Sequence, residues 1–235
     1  MIIGIIEADE LDDDVLEHYG SYTDRFQQLL FTADPQLSFR TYCAVHQRYP
    51  QDINACDAYL ITGSKYSCYE EIDWIKRLER FIVDCYQQDK KLIGICFGHQ
   101  LIAQALGGQV RKSDKGWSAG LISNDVVLSP GWLSPAQQRF SLLVNHQDQV
   151  IRLPEGASLI ATNDFCPVSG YQVNRSMLTF QGHPEFSRDY LRYLITKNRQ
   201  EIGDQVYLQA TQSLEQHVDY ELVATWIVKF IRDQS

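Results

Sequence analysis

The sequence predicts one α/β domain over residues 1–235: a mainly parallel central sheet flanked by helices, with an additional small β-rich portion. Three observations carry this. Short continuous apolar runs, Ile2–Ile6 and Lys91–Cys96, have the pattern of strands covered on both faces. Segments with apolar residues at helical spacing stand between such runs, as in βαβ units with right-handed crossovers. Residues 118–182 hold instead several short β-like segments separated by turn signals.

Ile2–Ile6 reads as a first buried strand, because the run is too short for a signal-peptide core and has no basic leader. A helix is expected from about Val15 to Leu30, then strands at Ser38–Val45 and Tyr59–Thr62. Ile72, Ile75, Leu78, Ile82 and Cys85 recur at helical spacing, with Lys76, Arg77, Glu79 and Arg80 on the other face. After the strand Lys91–Cys96, Leu101, Ile102, Ala105 and Leu106 make a helix that stops at Gly107-Gly108. Leu121–Leu128, Phe140–Val144, Ser158–Ala161 and Met177–Phe180 are β-like; Ser129-Pro130-Gly131 and Pro154-Glu155-Gly156 are turns between them. Ser187 is placed to cap a helix carrying Tyr190, Leu191, Leu194 and Ile195. A last amphipathic stripe, Leu222, Val223, Trp226, Ile227, Phe230 and Ile231, follows Asp219. No Pro/Gly/Ser-rich linker or repeat divides the chain.

Composition excludes several functions. With 44% hydrophobic and 22% charged residues the chain is not a disordered one. A net charge of -9 without a dense basic block argues against nucleic acid as the main partner. No run approaches the ~18 apolar residues that span a bilayer, so no membrane role is expected and the chain reads as cytoplasmic. None of the six cysteines forms a C-x-x-C pair, which removes zinc ribbons and thioredoxin-type redox motifs. At least one thiol should then be explained by chemistry and most of the others by packing. No metal and no organic cofactor is implied.

Gly94-Ile-Cys96-Phe-Gly98 lies where a buried strand turns into a helix. A nucleophile elbow needs small residues on both sides, since side chains there would collide with neighbouring backbone. The following helix points its unpaired N–H groups at the sulfur, which favours a thiolate. The N–H of Phe97 is placed to bind a developing oxyanion. Downstream, Gln181-Gly-His183-Pro-Glu185-Phe follows the strand Met177–Phe180. In extended backbone, which Pro184 favours for the residue before it, residues two apart face one side at ~6.6 Å. Glu185 can then orient His183, which takes the thiol proton and returns it to a leaving amine.

Gly94-Ile-Cys96-Phe-Gly98-His-Gln100 and Gln181-Gly-His183-Pro-Glu185 resemble the two signature segments of class I, triad-type glutamine amidotransferases. The similarity extends through Tyr59–Ser67 and Val144–Pro154 and is greatest to the amidotransferase part of GMP synthetase and its free-standing relatives. It implies a flavodoxin-like fold, a Cys96–His183–Glu185 triad, and hydrolysis of glutamine to glutamate and ammonia through a γ-glutamyl thioester. By the same resemblance Gln100 contacts glutamine, Gly63 gives a second oxyanion N–H, and the backbone of Asn145, His146 and Gln147 holds the substrate's amino-acid end. An ammonia-accepting partner enzyme is implied as well. The stretch after Phe186 is too short for a synthetase domain, which leaves a γ-glutamyl peptidase or hydrolase, or a binding protein with a relict site, as alternatives.

Two departures stand out: the family's Gly-Gly-Pro oxyanion loop reads Ile61-Thr62-Gly63-Ser64-Lys65 here, and Gly182 stands where many relatives carry an aromatic residue. Of the other polar residues, His146 and Asp148 are expected in a binding loop rather than as a second His–acid pair. His99 should pack or cap, and Cys68 should pack. Glu7, Asp9, Glu10, Asp12, Asp13 and Asp14 are expected in a solvated loop.

Overall fold

A computed structural model describes residues 1–233. In chain order the elements are β1 (Ile2–Glu7), α1 (Asp13–Tyr19), α2 (Tyr22–Ala33), β2 (Ser38–Cys43), β3 (Ala58–Ile61), α3 (Asp73–Gln87), β4 (Lys91–Ile95) and α4 (Phe97–Ala105). There follow β5 (Gln109–Lys112), β6 (Ser118–Val126), β7 (Arg139–His146), β8 (Asp148–Arg152), β9 (Ala157–Thr162), β10 (Gly170–Val173) and β11 (Met177–Phe180). Four helices end the chain: α5 (Arg188–Lys197), α6 (Arg199–Ile202), α7 (Asp204–Ser213) and α8 (Tyr220–Arg232).

The main sheet has nine strands in the order β2-β1-β3-β4-β11-β10-β9-β6-β7. The first five run parallel. From β11 onward each neighbour is antiparallel, so the β-rich region extends the same sheet. A separate two-stranded sheet joins β5 and β8.

Alternation of side chains into two covered faces explains the apolar runs of the inner strands β1, β3 and β4, whereas the edge strand β2 is half-buried or exposed along its length. Ile3, Ile5, Leu60, Ile93 and Ile95 enter one core with Phe26 of α2 and Trp226 and Phe230 of α8. Ile6, Tyr59, Ile61 and Leu92 enter the other, against Ile75, Leu78 and Ile82 of α3 and Leu101 and Ile102 of α4.

The helix expected over 15–30 is two helices. Gly20 adopts φ 71°, and Ser21 restarts the chain with a reciprocal cap: Ser21 Oγ accepts the Asp24 N–H at 3.1 Å, while the Ser21 N–H donates to Asp24 Oδ2 at 2.9 Å. Ser187 does cap α5, accepting the Tyr190 N–H at 3.0 Å. The acidic segment is solvated at Glu10, Asp12, Asp13 and Asp14, as expected, but not at Asp9, and several of its carboxylates make contacts to other segments. Glu7 accepts both the N–H and the hydroxyl of Thr23 at 2.9 Å. Asp9 is buried, Asp12 pairs with Lys197 at 2.7 Å, and Asp14 accepts the Tyr193 hydroxyl at 3.1 Å. These contacts tie the end of β1 and the residues after it to α2, to the segment at Lys65 and to α5. No helix among the described residues is long and apolar enough to cross a membrane.

Candidate active site

Cys96 directly follows β4 and sits at φ 52°, ψ -98°, outside the regions that L-residues ordinarily occupy. Its N–H continues the sheet ladder to Phe180 O at 2.9 Å, while its carbonyl accepts the Gln100 N–H at 3.0 Å and begins α4. The flanking glycines are steric requirements. A Cβ at position 94 would lie 2.7 Å from Gly98 O, and one at 98 would lie 2.6 Å from Ile61 O. Phe97 is the first residue of α4, so its N–H has no acceptor within the helix. Cys96 is only 6% exposed and borders a cavity of about 400 Å³.

His183 reaches that cavity from β11. Its N–H donates to Leu143 O of β7 at 2.8 Å, and Gly182 permits the approach, since a Cβ there would meet Leu142 Cβ at 2.8 Å. The imidazole is buried, stacked on Phe186 at 3.8 Å between centroids and 12° between planes, and donates from Nδ1 to Glu185 Oε1 at 2.7 Å. The other ring nitrogen is left for the Cys96 sulfur. Burial alone would disfavour the imidazolium, but the Glu185 carboxylate and the Cys96 sulfur outweigh it and lift His183 to about 10. The pair therefore meets as expected, although through a β-bridge and turn rather than a continued strand.

Gly63 follows β3 and closes the other side: a Cβ on it would lie 2.7 Å from His183 Cε1 and 3.7 Å from Cys96 Cβ. Gln100, one turn into α4, donates to Asp148 O at 2.8 Å and to Gln181 Oε1 at 3.1 Å. Asn145, His146 and Gln147 line the cavity with it. His146 donates from Nδ1 to the backbone oxygen of Asp148 at 2.9 Å, and burial pulls it down to about 4. The Asp148 carboxylate is occupied by Ser67 Oγ at 2.6 Å and by the Tyr69 hydroxyl at 3.0 Å, so no second His–acid pair forms. His99 is buried between Thr179 and Tyr171. Cys68 is packed beside Gln104, and burial pushes its thiol up.

Sequence reasoning missed three groups. Gln181 donates to Cys96 Sγ at 3.6 Å, a role its neighbours in sequence do not signal. Phe186 holds the face of the imidazole. Leu11, Val15, Trp117, Tyr190, Tyr193 and Leu194 also line the cavity, among charged groups such as Lys65, Lys112 and Lys197; only the helical pattern of α5 hinted at them.

The family described as glutamine amidotransferase class-I matches residues 15–199. A glutamine amidotransferase-like protein of Schizosaccharomyces pombe is 31% identical over 246 residues, covering 97% of this chain and 98% of that protein. Gamma-glutamyl peptidase 4 of Arabidopsis thaliana is 34% identical over 188 residues, covering 76% of this chain and 73% of the peptidase. Among solved structures, a glutamine amidotransferase from Methylobacillus flagellatus superposes with a TM-score of 0.76 at 21% identity, covering 98% of this chain and 92% of that one.

Proposed function

Since the chain belongs to the glutamine amidotransferase class-I family, we propose that it hydrolyses the side-chain amide of glutamine through a γ-glutamyl thioester on Cys96. The observation that carries this reading is the buried Cys96–His183–Glu185 constellation at the wall of a substrate-sized cavity. The Cys96 thiolate attacks the amide carbon, and the N–H groups of Phe97 and Gly63 hold the oxyanion. His183, as imidazolium, gives its proton to the leaving nitrogen; the C–N bond breaks and ammonia departs. Water then attacks the thioester, giving its proton to His183, and glutamate leaves. Glu185 fixes the ring and supports its charge. Gln100 and the backbone of Asn145–Gln147 hold the amino-acid end. The ammonia would pass to an accepting partner enzyme.

A second reading, hydrolysis of γ-glutamyl peptides or conjugates by the same chemistry, is supported by the similarity to Gamma-glutamyl peptidase 4 and by a cavity of about 400 Å³. Reduced protein treated with a glutamine-analogue electrophile should carry one adduct on Cys96 by intact mass, blocked by substrate. Cys96→Ala should lose both the adduct and turnover. Product analysis with glutamine and γ-glutamyl dipeptides separates the two readings, and a Cys96 that takes no adduct and turns over neither substrate would refute both.

A further inference from the structure

The chain lacks the proline and one glycine of the family's oxyanion loop, yet Gly63 must stay fixed within about 1 Å for its N–H to serve an oxyanion. The near end of the loop is held by β1 and α4. The Thr62 N–H donates to Ile6 O at 3.2 Å, Thr62 Oγ1 accepts the Ala8 N–H at 3.0 Å, and the Gly98 N–H donates to Thr62 O at 3.3 Å. The far end is held by one carboxylate. Asp9 Oδ2 accepts the Lys65 backbone N–H at 3.1 Å, and Oδ1 accepts Lys65 Nζ at 3.2 Å and the Glu10 N–H at 2.8 Å. Asp9 is 8% exposed, whereas the Lys65 side chain is 57% exposed. The bond to the backbone is therefore the stronger constraint, and the solvent-screened ion pair the weaker one.

The geometry points to Asp9 as the residue that positions the oxyanion loop, clamping it at Lys65 so that Gly63 is held between two fixed points. This rests on the proposed function. Asp9 touches no reacting atom in this assignment; it acts through the loop backbone.

Two reactions of Cys96 separate this role from general support. Acylation by a γ-glutamyl substrate passes through an oxyanion, and alkylation by iodoacetamide does not. In the full chain, Asp9→Ala should slow single-turnover acylation by γ-glutamyl-p-nitroanilide ~10- to 100-fold. Alkylation should stay within about twofold of wild type, and amide exchange should quicken at 62–66. Asp9→Asn keeps one acceptor and should lose roughly threefold to tenfold in acylation, which carries the test if Asp9→Ala does not fold. Lys65→Met keeps the tethered N–H and should lose less than Asp9→Ala.

Equal losses in acylation and alkylation, or no loss in either, would overturn the assignment. So would a raised KM with an unchanged acylation rate, since Asp9 would then be a substrate contact. A wild-type Cys96 that is alkylated but never acylated, by glutamine or by any γ-glutamyl amide, would instead overturn the proposed function and take this role with it.

Discussion

The substitution Gly63→Ala places a Cβ 2.7 Å from His183 Cε1. Carbon atoms rest about 3.5 Å apart or more, so either the ring or the loop must retreat by about 0.8 Å. The ring has nowhere to go: Glu185 holds Nδ1 at 2.7 Å and Phe186 covers one face at 3.8 Å. The loop is clamped at Thr62 and Lys65. Position 63 has no positive φ, so the effect is steric rather than conformational. A displacement near 1 Å at a reacting centre lowers rates by about 100-fold. Overpacking costs about 1–3 kcal/mol, or a few degrees in Tm per kcal/mol for a chain of this size. Gly63→Ala should therefore lower kcat/KM for γ-glutamyl amide hydrolysis by about two orders of magnitude while the protein still melts cooperatively near the wild-type temperature. Stopped-time product analysis beside a thermal melt reads both. Activity within threefold of wild type would show that Gly63 is not packed against a catalytic His183, and the site would have to be redrawn.

In Glu185→Gln one of the two groups that offset burial at His183 is neutralised, leaving Cys96, so the basic limb of the kcat–pH profile should move to lower pH by roughly 1–3 units. Because the folded value lies above 6.5, the stabilisation from this pairing is complete below about pH 6.5 and lost as pH rises through about 10. The stability gap between wild type and Glu185→Gln in denaturant titrations should accordingly be wide at pH 6 and narrow toward pH 10. Gly98→Ala puts a Cβ 2.6 Å from Ile61 O, a backbone atom inside the sheet, and should lower unfolding free energy by about 1–3 kcal/mol in urea titration; an unchanged midpoint would remove the steric account of the elbow glycines.

The inner parallel strands β1, β3 and β4 were legible because each is a short, largely apolar run, the consequence of helices on both faces; the edge strand β2, SFRTYC, is half-buried or exposed and lacks that pattern. The break at Gly20 was masked by apolar spacing that continues across it, although Gly20 followed by Ser21-Tyr-Thr-Asp24 is the stop-and-cap signal that the structure uses there. β5, β8 and β10 were invisible for another reason: four or five residues give too few alternations to rise above loop sequence. At the candidate site, the meeting of His183 and Glu185, seen at 2.7 Å, was readable because a proline constrains the backbone between them, and the turn at Cys96 because glycines flank it. Asp9 was hidden among five other carboxylates, and nothing local separates a buried tether from a solvated charge.

Four parts of the site come from four neighbouring strands. In the sheet β1, β3, β4 and β11 lie side by side and parallel, and the chain leaves each at the same edge. Asp9 follows the end of β1, Gly63 the end of β3, Cys96 the end of β4 and His183 the end of β11. Adjacent strands are about 4.8 Å apart, so residues one to three positions beyond them converge without long loops. The register Ile61↔Gly94 and Ile95↔Phe180 is then what sets the spacing of the candidate nucleophile, base and oxyanion donor. A slip of one residue would turn every inward side chain outward, so the two buried cores that fix the register also fix the site. Because β1 is next to β3, the Asp9 carboxylate two residues past the end of β1 reaches the Lys65 N–H at 3.1 Å without a long loop.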